Sequence, residues 1–195
     1  MIEVEKKIRL DQENKELLLA GAQFIGRKEL NDIYYDKNDY ELTCNDIWIR
    51  SRNGNFQIKI GIKGAKGDQY KEIEDDEEIK KFLNIPEGKS IDDFLDENDF
   101  KKFCIFHTIR EKYSNNGFSI EIDESKTDDG FLYNLAEIEV MVKDEEEINQ
   151  AREKIMNFLK EKGISSKNLF LGKVLEYLKE IKKEHFIALV KRGIV

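Results

Sequence analysis

The stretch MIEVEKKIRL (residues 1–10) alternates charged and apolar side chains at nearly every second position. Successive side chains of a β-strand point to opposite faces. One face would then be wholly ionic and the other nearly all apolar: Glu3, Glu5, Lys7 and Arg9 against Ile2, Val4, Lys6, Ile8 and Leu10. The pattern predicts an amphipathic strand whose charged face carries both signs.

Similar alternation predicts further strands along the chain. The predicted strands are 2–10, 24–35, 46–52, 56–63, 69–74, 100–113, 117–123 and 132–142. RNGNF (52–56) and SNNGF (114–118) are typical of tight hairpins. Helical patterns cover 11–21, 75–83 and 144–163, and 172–193 holds two helices or one broken helix. We predict an α+β fold: an eight-stranded antiparallel β-barrel (a tunnel) with a charged interior and surrounding or capping helices, forming one domain over residues 1–195.

The charged faces of these strands carry pairs of like charges two residues apart. The acidic pairs are Glu3/Glu5, Glu121/Asp123 and Glu137/Glu139, and the basic pairs are Arg50/Arg52 and Arg110/Lys112. For any one strand, a face in bulk water is the simpler interpretation. The joint pattern favours two inward linings, which need counter-charges. Carboxylates would hold a divalent cation, and the bases would bind an anion with several charges in a row, such as a polyphosphate.

Composition narrows the classes of function. A net charge of −8 over 195 residues argues against a non-specific nucleic-acid or anionic-membrane surface. No apolar run approaches a membrane span, and the start lacks a secretory apolar region. Cys44 and Cys104 have no metal-binding spacing, and His107 and His185 are isolated, so a metal would be held by carboxylates. We expect a cytoplasmic monomer that binds a small-molecule oligophosphate.

The order of the charged motifs resembles the triphosphate tunnel metalloenzymes, also called the CYTH superfamily. ExExK at 3–7 is followed by Arg50-x-Arg52, Lys59, Arg110, the acidic pair 121/123 and the acidic pair 137/139. The resemblance covers residues 2 to about 182 and is weakest across 76–100. Within the superfamily the chain looks most like the animal-type thiamine triphosphatases, through DIYYD (32–36), IWIRSR (47–52), QYKEI (69–73) and GKVLEYL (172–178).

The resemblance implies a role for each matching side chain. The metal ligands would be Glu3, Glu5, Glu121, Glu137 and Glu139, with Mg²⁺ as cofactor and Mn²⁺ as a substitute. The substrate would be bound by Lys7, Trp48, Arg50, Arg52, Lys59, Glu72, Arg110, Asp123 and Lys173. Glu5, Lys7, Arg110 and Glu137 would be catalytic. Trp48 would stack on the thiamine ring, although packing in a core is the alternative for a lone tryptophan.

The implied reaction is Mg²⁺-dependent hydrolysis of the terminal phosphate of thiamine triphosphate, giving thiamine diphosphate and phosphate. Three alternatives remain: an inorganic tripolyphosphatase, a class IV adenylate cyclase that releases pyrophosphate, and a polyphosphate-binding module without catalysis. Glu121 stands where the animal-type enzymes have Asp, and the chain lacks the longer tail of some of them. Both departures leave the substrate preference open.

Overall fold

The computed structural model describes residues 2–61, 70–165 and 171–195, except for the side chains of Ile2, Glu3 and Glu145. Within these ranges eight strands form one sheet: β1 Ile2–Arg9, β2 Gln23–Asp36, β3 Ile47–Arg52, β4 Asn55–Gly61, β5 Tyr70–Ile73, β6 Lys101–Asn115, β7 Phe118–Lys126 and β8 Leu132–Val142. The strand order is β1-β8-β7-β6-β2-β3-β4-β5. The helices are α1 Gln12–Leu19, α2 Asp76–Leu83, α3 Ile91–Glu97, α4 Ile148–Glu161, α5 Lys173–Glu180 and α6 Lys183–Arg192. The predicted α+β class with eight antiparallel strands is confirmed.

The chain divides into two compact units. Unit 1 comprises Met1–Glu29, Thr108–Lys126 and Leu132–Gly172. Unit 2 comprises Leu30–His107, Thr127–Phe131 and Lys173–Val195. Each unit has its own hydrophobic core, and the prediction that residues 1–195 form one domain stays a prediction.

In unit 1, the apolar side of β1, β7 and β8 is covered by helices. The β-strand side chains Ile120, Ile122 and Ile138 are fully buried. The core cluster also contains residues of α1 and α4, namely Leu18, Ala151, Ile155, Phe158 and Leu159. Burial of such side chains contributes about 1.5–3 kcal/mol each. Helices therefore cover the apolar side, as the alternating pattern of the first strand predicts.

In unit 2, the apolar side of β3, β4 and β5 packs against α2 and α3. The cluster contains the strand residues Ile49, Phe56, Ile58 and Ile73 and the helical residues Ile79, Ile91 and Leu95. Helix α3 lies in the segment that the sequence left unassigned. Its local signal is an N-cap, since Ser90 Oγ accepts a hydrogen bond from the backbone N–H of Asp93 at 3.1 Å. At seven residues it is too short for a clear helical period.

Both predicted hairpins are present. Asn53 and Gly54 join β3 to β4, and Asn116 and Gly117 join β6 to β7. All four residues have positive φ, from 49° to 86°. A two-residue loop with positive φ at both positions matches the twist of paired strands, and Asn-Gly adopts it at low cost. These loops fix the registers that place the charged side chains.

The C-terminal segment forms two separate helices, α5 and α6, which settles the alternative left open by the sequence. Helix α6 is anchored within unit 2 by the buried side chain of His185. Its Nε2 lies 2.7 Å from Oγ1 of Thr43, and its ring stacks on Tyr40 with centroids 4.0 Å apart. Among the residues that the structure describes, no helix has the length and apolar character needed to cross a bilayer.

Candidate functional site

The charged side of unit 1 concentrates carboxylates on three neighbouring strands. In the antiparallel registers Glu5 lies opposite Glu139, and Glu137 lies opposite Lys7 on one side and Glu121 on the other. Like charges placed directly opposite each other destabilise a sheet. We call the side chains of Glu5, Glu121, Asp123, Glu137 and Glu139 the acidic cluster.

Three members of the acidic cluster can share one cation. One carboxylate oxygen from each of Glu5, Glu137 and Glu139 lies within 4.8 Å of the other two. Hard cations such as Mg²⁺ take oxygen ligands at short distance, so this donor set fits such an ion. Burial, together with the nearby charge of Glu5, raises the pKa of Glu137 above its ordinary value. A cation bound among these carboxylates would favour their charged forms.

Cations of the same unit neutralise part of the acidic cluster. Lys7 forms an ion pair with Glu5 and lies 3.7 Å from Glu137. Arg110 donates from Nε and Nη2 to the two carboxylate oxygens of Asp123, each at 2.6 Å, and also contacts Glu121 and Glu137. Burial alone would lower the pKa of Arg110, but the hydrogen bond to Asp123 and the surrounding carboxylates raise it. The guanidinium is therefore held in one orientation with its charge retained.

The charged side of unit 2 is mainly basic. Arg50, Arg52 and Lys59 lie on β3 and β4, and Lys173 is the first residue of α5. Nε of Arg50 donates to Gln57 at 2.6 Å, and the Gln57 amide donates to Glu74 at 2.7 Å. We call the side chains of Arg50, Arg52, Lys59 and Lys173 the basic group.

The remaining members of the basic group contact carboxylates. Nζ of Lys59 donates to Glu72 at 2.7 Å, its cross-strand neighbour in the β4–β5 register. Arg52 and Lys173 both donate to Asp32, a β2 residue that is fully buried. Burial alone would raise the pKa of Asp32, but the hydrogen bond from Arg52 and the charge of Lys173 hold it well below its usual range.

Trp48 lies on the same strand as the two arginines and opposite Lys59 in the register. Its Nε1 donates to Asp46 at 2.8 Å, and the residue is only 8% exposed. Asp46 also sits directly against Gly61, where an added Cβ would lie 1.6 Å from its Oδ2. The indole is thus largely packed and has a fixed orientation, which limits the ring surface open to a ligand.

The structure brings together most side chains that the resemblance singles out. In unit 1 these are Glu5, Lys7, Arg110, Glu121, Asp123, Glu137 and Glu139; in unit 2 they are Trp48, Arg50, Arg52, Lys59, Glu72 and Lys173. The side chain of Glu3 lies outside the described residues. Asp123, predicted to bind substrate, accepts hydrogen bonds from Arg110 with both of its oxygens.

Sequence reasoning missed the side chains that hold the basic group, Asp32 and Gln57, and the one that holds Trp48, Asp46. Asp32 stands in DIYYD (32–36), a stretch that carries the resemblance but has no ionic pattern of its own. Its charged role depends on facing Arg52 across the β2–β3 pair, and a register between strands separated by a 3₁₀ turn cannot be read from the sequence. Gln57 carries no charge and therefore left no signal in a search for ionic faces.

Known proteins resemble this chain over most of its length. Residues 1–171 match the CYTH domain family. A Methanocaldococcus jannaschii protein, named provisionally as an adenylate cyclase, is 30% identical over 181 residues, covering 90% of this chain and 98% of that protein. The thiamine-triphosphatase of Macaca fascicularis is 27% identical over 208 residues, covering 98% of this chain and 90% of that protein. A solved structure from Pyrococcus horikoshii OT3 superposes with a TM-score of 0.61 at 28% identity, covering 92% of this chain and 99% of that chain. The chain therefore belongs to the CYTH domain family.

Proposed function

We propose that this protein is a Mg²⁺-dependent phosphohydrolase that removes the terminal phosphate of thiamine triphosphate. The observation that carries the proposal is the group of three carboxylates, Glu5, Glu137 and Glu139, whose oxygens lie within 4.8 Å of one another beside Lys7 and Arg110. A site that only bound polyphosphate would gain little from so many carboxylates, because each repels the anion. Family membership supports a triphosphate as the substrate class.

In this proposal Glu5, Glu137 and Glu139 would hold Mg²⁺, with Glu3 and Glu121 as further ligands. The bound ion supplies Lewis-acid stabilisation of charge on the phosphate oxygens and a template for their orientation. Mn²⁺ has similar ligand preferences and would substitute. The carboxylates contribute by fixing the position of the phosphate chain, which is the main requirement in phosphoryl transfer.

The basic side chains would neutralise the phosphates. Arg50, Arg52, Lys59 and Lys173 would bind the phosphate chain, and Lys7 and Arg110 would stabilise charge at the scissile end. Glu137 would accept a hydrogen bond, and then a proton, from the attacking water. The water oxygen bonds to the terminal phosphorus as the bond to the bridging oxygen breaks, and the diphosphate leaves.

The choice of thiamine triphosphate depends on the 27% identical macaque thiamine-triphosphatase and on Trp48. A cationic or aromatic ring stacked on an indole gains about 0.5–2 kcal/mol. The packed position of Trp48 favours a second candidate, hydrolysis of inorganic tripolyphosphate, which needs no aromatic contact. The 30% identical M. jannaschii relative makes adenylate cyclase activity the third outcome to test.

We further propose that the protein acts as a cytoplasmic monomer. Its two cysteines, Cys44 and Cys104, are both free, which suits a reducing compartment. Light scattering coupled to size exclusion would test the monomer, since a dimer doubles the mass of 23.0 kDa.

The deciding experiment is phosphate release with Mg²⁺ from thiamine triphosphate, tripolyphosphate and ATP, compared by kcat/KM for wild type and Trp48→Ala. We expect thiamine triphosphate to be preferred by about tenfold, equivalent to ~1.4 kcal/mol, and the preference to vanish in Trp48→Ala. A preference for tripolyphosphate that Trp48→Ala leaves unchanged would establish the second candidate. Pyrophosphate and a cyclic nucleotide from ATP would establish the cyclase, and turnover of none of the three would refute hydrolysis.

A further inference from the structure

The buried carboxylate of Asp32 is unusual in contacting two cations of the basic group. Asp32 lies on β2 directly opposite Arg52 and is fully buried. Its Oδ1 accepts from Nε of Arg52 at 2.6 Å, and its Oδ2 accepts from Nη2 of Arg52 at 3.0 Å and from Nζ of Lys173 at 2.5 Å. A buried carboxylate requires a counter-charge, but one cation is enough for neutrality.

The second cation is placed where the local structure does not favour it. Lys173 is the first residue of α5, where a positive charge opposes the helix dipole. Its Nζ lies 5.0 Å from the centroid of the Phe106 ring, so the side chain is directed by packing as well as by Asp32. Together the three ionised groups carry one net positive charge. Asp32 therefore holds two cations of the basic group at one place in unit 2.

Asp36 provides a comparison on the same strand. It is 2% exposed, and its oxygens accept hydrogen bonds from the backbone N–H groups of Lys37, Leu42 and Thr43 and from the Thr43 hydroxyl. The imidazole of His185 lies 4.0 Å away. Asp36 thus fastens a turn, whereas Asp32 orients two side chains.

We propose that Asp32 is a positioning residue that holds Arg52 and Lys173 in the orientation in which they bind the phosphates of the substrate. This inference rests on the proposed function. The bidentate contact fixes the plane of the guanidinium of Arg52, and the single contact fixes the direction of the Lys173 ammonium. Asp32 itself would not touch the substrate.

The proposal predicts opposite effects on binding and on turnover. Asp32→Asn removes a negative charge beside two cations, so attraction for a polyanion is kept or increased. The same change removes the bidentate acceptor, so the two cations lose their fixed geometry. Small displacements of binding groups cost turnover disproportionately. A merely structural Asp32 would instead change the amount of folded protein and leave each folded molecule fully active.

The test uses the full chain and two probes, tripolyphosphate binding by calorimetry and steady-state hydrolysis of the best substrate. For Asp32→Asn we expect kcat to fall about ten- to hundredfold, with the Kd for tripolyphosphate unchanged or lower. Asp32→Glu keeps the charge but moves the carboxylate by one methylene, and it should also lose kcat. The matched control Asp36→Asn should lower the thermal midpoint while retaining wild-type kcat per binding-competent site.

A kcat within twofold of wild type in Asp32→Asn, corrected for binding stoichiometry, would overturn the inference. If Asp32→Asn does not fold, a wild-type kcat in Asp32→Glu would overturn it. A wild-type protein that turns over no triphosphate would refute the proposed function and this inference together. An active wild type whose Asp32 variants are equally active would refute the inference alone.

Discussion

The acidic cluster of unit 1 and the basic group of unit 2 are built in the same way and carry opposite charge. In each unit, antiparallel strands bury one side under two helices and present ionic side chains on the other. Five carboxylates of the acidic cluster are accompanied by three cations, Lys7, Arg110 and Lys112, among the described side chains. In the part of the chain that the structure describes, three of the four cations of the basic group contact the carboxylates of Asp32 and Glu72. The apolar positions secure the fold, and the alternate positions are free to set the charge.

Each region also contains an arginine held by both oxygens of an aspartate. Arg110 is bound by Asp123, and Arg52 is bound by Asp32. The surroundings differ, because Arg110 is one cation among three carboxylates while Asp32 is one carboxylate between two cations. The same bidentate arginine–aspartate pair therefore occurs amid an excess of negative charge in unit 1 and an excess of positive charge in unit 2. This contrast predicts that changes to the carboxylates of the acidic cluster affect the metal and that changes to the basic group affect the phosphates.

The largest effect should follow Glu5→Gln in unit 1. The amide is a poorer ligand for a hard cation, and the variant should lose about a thousandfold in kcat, equivalent to several kcal/mol of transition-state stabilisation. Thermal unfolding should stay near wild type, because Glu5 is on the charged side of β1. Glu124→Gln, on the opposite side of β7, is the matched control and should retain activity. Near-normal turnover in Glu5→Gln would contradict the metal assignment.

The second prediction concerns the loss of stability in acid, to which only unit 2 contributes through histidine, because both histidines belong to unit 2. Burial lowers the pKa of His185 from 6.5 to about 4, against the opposing charge of Asp36. Between these two pKa values His185 is protonated in the unfolded chain and neutral in the folded chain. The free energy of unfolding therefore decreases as the pH falls from about 6.5 to 4. The loss should approach about 3 kcal/mol.

Urea unfolding of wild type and His185→Gln across this range would measure the effect of His185. Gln retains a donor to Thr43 without a titrating ring, so only the wild type should show the additional loss. Curves that run parallel at every pH would exclude His185 as its source.

A third prediction compares two glycines. At Gly61 in unit 2 an added Cβ would lie 1.6 Å from Oδ2 of Asp46, whereas at Gly26 in unit 1 nothing lies within 4 Å. Gly61→Ala should therefore destabilise by about 1–3 kcal/mol, and Gly26→Ala should not. Because Asp46 accepts the indole N–H of Trp48, the one tryptophan of the chain, Gly61→Ala should also shift the fluorescence emission. Unchanged emission together with unchanged stability would show that Asp46 can move aside freely.

The smallest effect is expected for Arg50→Ala in unit 2. Loss of one phosphate contact should weaken binding of tripolyphosphate about tenfold, or ~1.4 kcal/mol. Affinity for Mg²⁺ in the absence of phosphate should not change, because the proposed metal ligands belong to unit 1. Lys71→Ala, an exposed lysine on β5, controls for the general loss of one positive charge. Calorimetric titration with tripolyphosphate and with Mg²⁺ measures both affinities. Equal losses of tripolyphosphate affinity in Arg50→Ala and Lys71→Ala would show that Arg50 contributes only general surface charge.

Much of this contrast could be predicted from the sequence. The alternation in residues 2–10 and the two Asn-Gly loops predict amphipathic strands and hairpins, and like-charged pairs two residues apart predict which side is ionic. The orienting contacts could not be predicted, because they depend on registers between strands far apart in sequence, as for Asp32 and Arg52. Helix α3 could not be predicted either, because seven residues form too few turns to show a helical period. The packing of Trp48 depends on Asp46, whose left-handed backbone conformation, at φ 57°, has no signature in the sequence.

The internal pairing of Lys7 and Arg110 with the carboxylates has a consequence for how the protein tolerates its surroundings. A cluster of acids that depended on an imported ion for neutrality would unfold when that ion became scarce. Here the chain brings its own counter-ions to Glu5, Asp123 and Glu137. Under the proposed function, a chelator should therefore abolish activity while the protein stays folded. Adding the ion back should restore activity as fast as the ion binds. Under the proposed function, a fall in the Mg²⁺ concentration would stop turnover reversibly and would leave the protein folded.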